Sequence, residues 1–406
     1  MEVTKTIKAK VVELTVGKRL ALETEYANYQ KAVMHAEQFI KELNITTLKQ
    51  AGEVLYNEGS KYSLKRRVNL YSAAYQMAFK RALCARGTSK KEQPLRLRND
   101  TFDVKEIHND IAAYWAKIPV YGQYGGIKVA LKMSPKHEEL LRDPGIKTCD
   151  SELLKRGNDF FLHITVKKCV DTAPSNSGKL AVIGIDAGIR NTATSVVWRD
   201  ESITGAVLHS GKRLEHRVKQ TKARLAKFHK QAYMHDSYHC VCKALDKETR
   251  VGQKLGNYSR DCLHKISAQI IGQALELRAQ GYDVVIACED LKHIRKRISG
   301  KLQWWAFRKL LDFIQYKAQW ASIPYVEVEP ANTSKICPKC GHYDKNNRRG
   351  LAFKCTECKY NANADLVGAI NVAKRSVGFL RLHAYGNGRH ESAQEVVAAM
   401  PQAMML

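Results

Sequence analysis

Four cysteines set the first chemical constraint. Cys337 and Cys340 form one Cys-x-x-Cys pair, and Cys355 and Cys358 form a second after fourteen intervening residues. Two pairs at this separation bring four thiolates to the corners of one tetrahedron, the arrangement of a structural Zn²⁺ with no open coordination position. Gly341, just past the first pair, relieves the tight turn of a knuckle. Two disulfides or four idle buried thiols are the alternatives, and the paired spacing argues against both. Asp365 follows the last cysteine by seven positions. Two more acids stand far upstream, Asp186 after the apolar run Leu180–Ile185 and Glu289 after Tyr282–Cys288. Carboxylates gathered in one place repel one another, and hard Mg²⁺ prefers such oxygen ligands. Two such ions would activate a water, stabilise a leaving 3′ oxygen and neutralise the phosphate between them. Singly, each acid has a plainer reading: Asp186 capping a turn, Glu289 pairing with Lys292, Asp365 capping a helix. The order of all three around a four-thiolate module points to a nuclease acting on nucleic acid.

The charge agrees with that outline. Against 67 Lys+Arg there are 40 Asp+Glu, a formal net charge of +27 over 406 residues. Such self-repulsion adds nothing to folding, and a polyanionic partner relieves it. Binding of that kind weakens steeply with salt. A basic surface that only aids solubility is the bland alternative, and an excess of this size argues against it. With 44% hydrophobic positions the chain can bury two or three cores. The start, Met1 to Lys5, lacks a basic-then-apolar run, and no segment approaches about 18 uninterrupted apolar residues, so neither a secretion signal nor a membrane span is expected. Eleven cysteines, four of them zinc-spaced, fit a reducing, cytoplasmic setting.

These side chains need elements to carry them. Leu180–Ile185, Thr192–Trp198, Tyr282–Cys288 and Tyr325–Val328 read as strands, and Trp304–Ala321 and Ala364–Arg375 as helices. A long basic helical stretch runs from Arg213 to Gln280, with an interruption expected near Cys240 to Gly252. Upstream, Leu22, Tyr26, Tyr29, Val33, Ala36, Ile40 and Leu43 recur in steps of three and four, one face of a long helix. A second helix is predicted over Leu64–Ala85, with Val68, Tyr71, Tyr75, Ala78 and Ala82 on its core face. Thr4–Leu14, Gly126–Met133 and Phe160–Val170 read as strands. The Pro, Ser, Asn and Gly-rich stretch Asp171–Lys179 separates two halves.

Taken together, the stretches Gly184–Ile189, Glu289–Leu291, Thr333–His342 with its first two cysteines, and Asp365 followed by Ala369, Ile370, Asn371 and Val372 resemble the RuvC-type nuclease core of TnpB proteins. These are transposon-encoded, RNA-guided DNA endonucleases related to the compact type V CRISPR effectors. Asn257–Lys265 and Phe313–Trp320 match in order as well. The resemblance is specific from about residue 181 to 375; over the first 170 residues it rests on layout. It implies a multi-domain α+β fold: a wedge-type β-barrel over residues 1–15 and 116–172, an inserted helical recognition lobe over 16–115, and a linker at 173–180. A ribonuclease H-like (RuvC) domain would follow over 181–332 and 363–377, interrupted by a zinc ribbon at 333–362, with a flexible tail at 378–406. Asp186, Glu289 and Asp365 stand at the positions of the family's catalytic, Mg²⁺-binding acids. The resemblance further implies a guide RNA on the basic surface, one or two copies of the chain on one RNA, and double-stranded target DNA opened beside a short duplex motif. A place beside the nucleoid DNA of a prokaryote follows.

The chain departs from the family at two points. Related ribbons usually place an arginine four residues before the third cysteine, where this chain has Leu351; Arg348 or Arg349 is left to stand in. After the third acid it reads Leu366-Val367-Gly368 in place of the commoner asparagine-containing version. Other features have two readings each. The basic segment Leu291–Lys301 is a channel lid or a solvated loop, Trp304 and Trp305 are core or base-stacking, and Asn257, His264 and Lys265 are helix packing or RNA contacts. Lys212–Lys230 is expected to line phosphates. His235, His239, Cys240 and Cys242 have no standard zinc spacing. Three functional alternatives stay open: a guide-directed DNA-binding repressor that does not cut, a guide-free structure-selective DNA nuclease, and a strand-joining transposase.

Overall fold

The structure, a computed structural model, describes residues 2–84, 92–170, 179–188, 191–234, 238–291 and 307–385. Most of the expected linker, Lys292–Lys301, Trp304, Trp305 and the last part of the tail lie outside these residues. The chain divides into two units, Met1–Cys169 and Val170–Leu406.

The first unit opens with β1 (Glu2–Val12), in which Val3, Ile7, Ala9 and Val11 turn inward while their neighbours face out. Thr15 caps α1 (Val16–Glu42) through its side chain. The buried stripe of α1 runs Leu22, Tyr26, Tyr29, Val33, Ala36, Phe39; the expected Ile40 and Leu43 drift off it because 3.6 residues per turn rotates the face. A short α2 (Leu48–Leu55) follows behind a capping box. The predicted helix over Leu64–Ala85 is shorter than expected. One 3₁₀ turn, Leu64–Arg66, precedes an irregular strip, and α3 spans only Ser72–Cys84.

The remaining elements are β2 (Leu95–Leu97), β3 (Asp103–Glu106), β4 (Tyr114–Val120), β5 (Gln123–Lys132), α4 (Pro135–Arg142), β6 (Lys147–Thr148), β7 (Ser151–Arg156) and β8 (Asp159–Cys169). The strands pair in the order β2-β7-β8-β1-β5-β4-β3, with β6 on β8. Among the described residues no pairing joins β2 to β3, so the sheet is open and the expected barrel closure is absent. β2 and β3 also fall inside the range 16–115 expected to be helical.

The second unit is built on β9 (Leu180–Asp186), β10 (Asn191–Arg199), β11 (Ser202–Ser210), β12 (Asp283–Glu289) and β13 (Tyr325–Val328). Their order is β11-β10-β9-β12-β13, antiparallel from β11 to β9 and parallel from β9 to β13. α5 (Lys212–Met234) and α6 (Tyr238–Ala279) follow β11, so Cys240–Gly252 is helical and the expected interruption there does not occur. α7 (Phe307–Trp320) lies between β12 and β13. Three short strands, β14 (Arg348–Arg349), β15 (Ala352–Lys354) and β16 (Asn361–Asn363), form a separate sheet. α8 (Ala364–Tyr385) closes the unit and carries the helix eight residues into the expected tail, 378–385.

The sheet is covered on both faces, and strand period two assigns the residues. Ala181, Ile183 and Ile185 of β9, with Val284, Ile286 and Cys288 of β12, pack on α6 and α7. Val182 of β9, with Val285 and Ala287 of β12, packs on Ala369, Ile370 and Ala373 of α8. Gly184 lies on the α8 face, where a side-chain carbon would run into the carbonyl oxygen of Ala369 and stand 2.7 Å from the Cβ of Ala373. Only glycine lets α8 lie this close to the sheet.

Candidate active site and four-cysteine centre

The same alternation delivers the acids. Asp186 continues the series 182 and 184 on the α8 face, and Glu289 continues 285 and 287. They end neighbouring parallel strands whose register pairs Ile185 with Cys288, about one strand spacing apart. α8 crosses this face, and its first turn carries Asp365, where the positive helix end favours a carboxylate. Asn363, not Asp365, serves the cap: its Oδ1 accepts the Asp365 N–H at 2.9 Å. Glu289 and Asp365 are 8% and 5% exposed; Asp186 is partly open.

Electrostatics records the convergence. Burial, then the neighbouring carboxylates of Glu289 and Asp365, push the Asp186 carboxyl well above its ordinary range, with Arg348 pulling the other way. Burial also raises Glu289, against the Thr333 hydroxyl, Arg375 and Arg348. Thr333 Oγ1 donates to Glu289 Oε1 at 2.6 Å, and Asn191 Nδ2 donates to Asp365 Oδ2 at 3.0 Å. Asn371 Nδ2 in turn donates to the carbonyls of Thr333 (2.6 Å) and Ile336 (2.8 Å), tying the segment before the first cysteine to α8. A side-chain carbon on Gly368 would stand 2.8 Å from Asp186 Oδ2, so the unusual glycine makes room for that carboxylate. Val367 is buried among Cys337, Phe353, Cys355 and Ala364.

Arg348 Nη2 lies 3.7 Å from Asp365 Oδ1. Arg349, the next residue of β14, is exposed, and Leu351 supplies its carbonyl to the N–H of Ala364 at 2.8 Å. Of the two candidate arginines, Arg348 is therefore the one beside the acids.

The four cysteines meet. Cys337 Sγ lies 3.6 Å from Cys358 Sγ, Cys340 Sγ lies 3.6 Å from Cys355 Sγ, and all four sulfurs lie within 4.8 Å of one another. Zn–S bonds of about 2.3 Å in a tetrahedron separate sulfurs by about 3.8 Å, so the cluster fits zinc; a disulfide needs about 2.05 Å. Each knuckle is closed by its own backbone bond, Cys337 N–H to His342 O at 3.0 Å and Cys355 N–H to Tyr360 O at 2.8 Å. The His342 backbone N–H draws the Cys340 thiol down to about 7, whereas burial lifts Cys337 to about 12. Among the described residues the carboxylates form no second group this tight; His235 and the His239 side chain lie outside them.

Of the α6 residues with two readings, one is packed and two lie at the surface. His264 stacks on Phe313 with ring centroids 3.9 Å apart, and Lys317 Nζ bonds the His264 carbonyl at 2.8 Å. Lys265 pairs with Asp261 at 2.7 Å, and Asn257 is exposed.

The sequence analysis missed a cleft of about 840 Å³ in the first unit. Its walls are the strip before α3 and the β4–β5 turn, and it holds Lys65, Arg66, Tyr71, Tyr121 and Tyr124. Tyr124 is fully exposed and Tyr121 is 53% exposed. Gly122, Gly125 and Gly126 beside the tyrosines were the available signal of a shaped turn.

Comparisons with known proteins agree with these features. Residues 307–372 match the family model described as Cas12f1-like, TNB domain. A TnpB-like protein of Methanocaldococcus jannaschii is 40% identical over 124 residues, covering 29% of this chain and 42% of that protein. The CRISPR-associated endodeoxyribonuclease Cas12f1 of Sulfoacidibacillus thermotolerans is 30% identical over 222 residues, covering 54% of this chain and 50% of that protein. The chain thus spans about half the length of these curated relatives. In fold, the protein of a solved Cas12f1–sgRNA–target DNA complex matches 87% of this chain and 81% of its own length, with a TM-score of 0.57 and 17% identity. Among the described residues no helix is long and apolar enough to cross a membrane. By sequence, the chain is similar over part of its length to TnpB-like proteins and to the compact Cas12f1 effectors.

Proposed function

We propose that the chain is an RNA-guided DNA endonuclease that hydrolyses target DNA beside a short duplex motif, in one ribonuclease H-like, RuvC-type site. The observation that carries this reading is the convergence of Asp186, Glu289 and Asp365: burial first, and then the two neighbouring carboxylates, raise the Asp186 carboxyl. Three like charges held together cost stability unless cations join them. The order of the five-stranded sheet, with α8 over its acid-bearing face, supports the ribonuclease H-like assignment. The endodeoxyribonuclease name carried by a half-matched relative supports the activity.

In this reading Asp186, Glu289 and Asp365 hold two Mg²⁺ ions, which when bound supply charge neutralisation at the phosphate and a more acidic water. Thr333 and Asn191 each engage one carboxylate oxygen and so orient Glu289 and Asp365. Arg348 takes the part of the arginine missing at Leu351, exchanging its contact with Asp365 for an entering phosphate. Cys337, Cys340, Cys355 and Cys358 hold one structural Zn²⁺. The first unit, with its helices and open sheet, is the recognition lobe and wedge; its tyrosine-bearing cleft, with Arg66 and the Lys65–Glu58 pair, receives the duplex motif. Residues 333–362 are the ribbon and 173–180 the linker. Guide RNA lies on basic surface that includes the Lys212–Lys230 face of α5, and the protein works in the cytoplasm beside chromosomal DNA.

The test is to express the chain with its native flanking DNA and sequence the RNA that co-purifies. A discrete species with a constant part and one variable end is expected, and that RNA should direct Mg²⁺-dependent cutting of a matching duplex. If no RNA is enriched, guided action fails and the structure-selective nuclease takes its place.

A further inference from the structure

One wall of the cleft in the first unit is an irregular strip; the other is the tight β4–β5 hairpin turn, closed by the Val120–Gln123 pair. Between the 3₁₀ turn and α3, the strip Val68–Tyr71 has several of its polar backbone atoms engaged by side chains, while the Val68 N–H and the Tyr71 carbonyl bond to backbone. Tyr75 Oη donates to the Val68 carbonyl at 2.7 Å and accepts the Leu70 N–H at 3.1 Å. Asn28 Nδ2 donates to the Asn69 carbonyl at 3.0 Å. Glu25 Oε1 accepts the Tyr71 N–H at 3.1 Å, and its other oxygen, Oε2, accepts the Tyr121 N–H at 2.8 Å. Tyr71 belongs to one wall and Tyr121 to the other. One carboxylate therefore spans the cleft from beneath.

Glu25 is 1% exposed, on the apolar stripe of α1 beside Leu22 and Tyr29. Burying a carboxylate is costly, and an apolar residue of similar volume usually packs such a position as well or better. Stability alone does not account for an acid there. Both of its partners are donors, so both bonds need two acceptor oxygens. A glutamine would turn an amide NH₂ toward one of the two N–H groups, and an aspartate is one methylene short.

We propose that Glu25 is a positioning residue that fixes the separation of the two cleft walls, and with it the discrimination among base pairs flanking the target. The inference rests on the reading that this cleft receives target duplex. With the walls clamped, the exposed Tyr121 and Tyr124, Arg66, and Lys65 in its ion pair with Glu58 keep one spacing. A groove of fixed width rejects flanking sequences whose edges or shape do not match it.

The experiment uses the full chain loaded with its guide RNA and two guide-matched substrates. One is a duplex library with randomised flanks; the other is a bubble whose guide-matched stretch is already unpaired, so that flank reading is bypassed. Glu25→Gln, Glu25→Ala and Tyr75→Phe are compared with the wild type. Glu25→Gln is expected to broaden the accepted flanks and slow duplex cutting about tenfold, with bubble cutting within about twofold. Tyr75→Phe should move in the same direction by less. Equal losses on both substrates, or an unchanged flank preference with slower cutting, would make Glu25 a plain fold stabiliser and overturn the proposal. Should Glu25→Ala fail to fold, Glu25→Gln and Tyr75→Phe decide. If the wild type cuts neither substrate, the nuclease reading fails, and the inference goes with it.

Discussion

At the acid centre, reactive side chains arrive on regular elements. Two parallel strands end in Asp186 and Glu289, a helix begins at Asp365, and strand alternation turns the first two toward the third. In the cleft of the first unit, the walls are irregular backbone and a tight turn, held by Glu25, Asn28 and Tyr75 from the helices beneath. The first construction places charges through strand and helix ends. The second places surfaces, through buried side chains that hold the backbone behind them.

Substitutions can break or sharpen that contrast. The largest effect belongs to Asp186→Ala, which should lower cleavage about a thousandfold or more while RNA binding stays nearly intact; retained cutting in a single-turnover assay would remove Asp186 from the centre. Cys355→Ser comes next. It should reduce bound zinc from one per chain toward none by elemental analysis and lower the melting temperature, since structural sites couple metal binding to folding. Arg348→Ala should slow cutting by about ten- to a hundredfold, with Arg349→Ala near the wild type. Reversed effects would mean that the arginines exchange roles once DNA is bound. Thr333→Val is smaller. It leaves Glu289 Oε1 without its donor, at about 1–3 kcal/mol, and should slow cutting about tenfold without changing flank preference. Glu25→Gln should do the converse, changing flank preference and leaving bubble cutting alone.

The acid centre was legible because its signals are local. An apolar run ending in an acid announces a strand with a charge at its tip, and Cys-x-x-Cys announces a knuckle. The supporting contacts were not legible. Gly368 against Asp186, and Asn371 through Thr333 to Glu289, join positions that only tertiary packing brings together. The hairpin from β10 to β11 escaped notice because its turn residues, Asp200 and Glu201, take φ of 49° and 62° without a glycine to mark them. α3 starts later than the helical period suggests, because Val68 and Tyr71 continue that period while side chains hold their backbone outside the helix. Barrel closure was inferred from resemblance, and the strand pairing leaves the sheet open.

α8 brings the third acid, the glycine that accommodates the first, and the asparagine that ties down the support of the second. It is also the last described element of the chain, reached only after the four-cysteine module. During synthesis the first unit and most of the large sheet can leave the ribosome and fold while this helix is still inside it. A nascent chain stalled before residue 365 thus carries the first unit and the strands of the large sheet without Asp365. On the proposed reading, the three-carboxylate centre is complete only once α8 has been made.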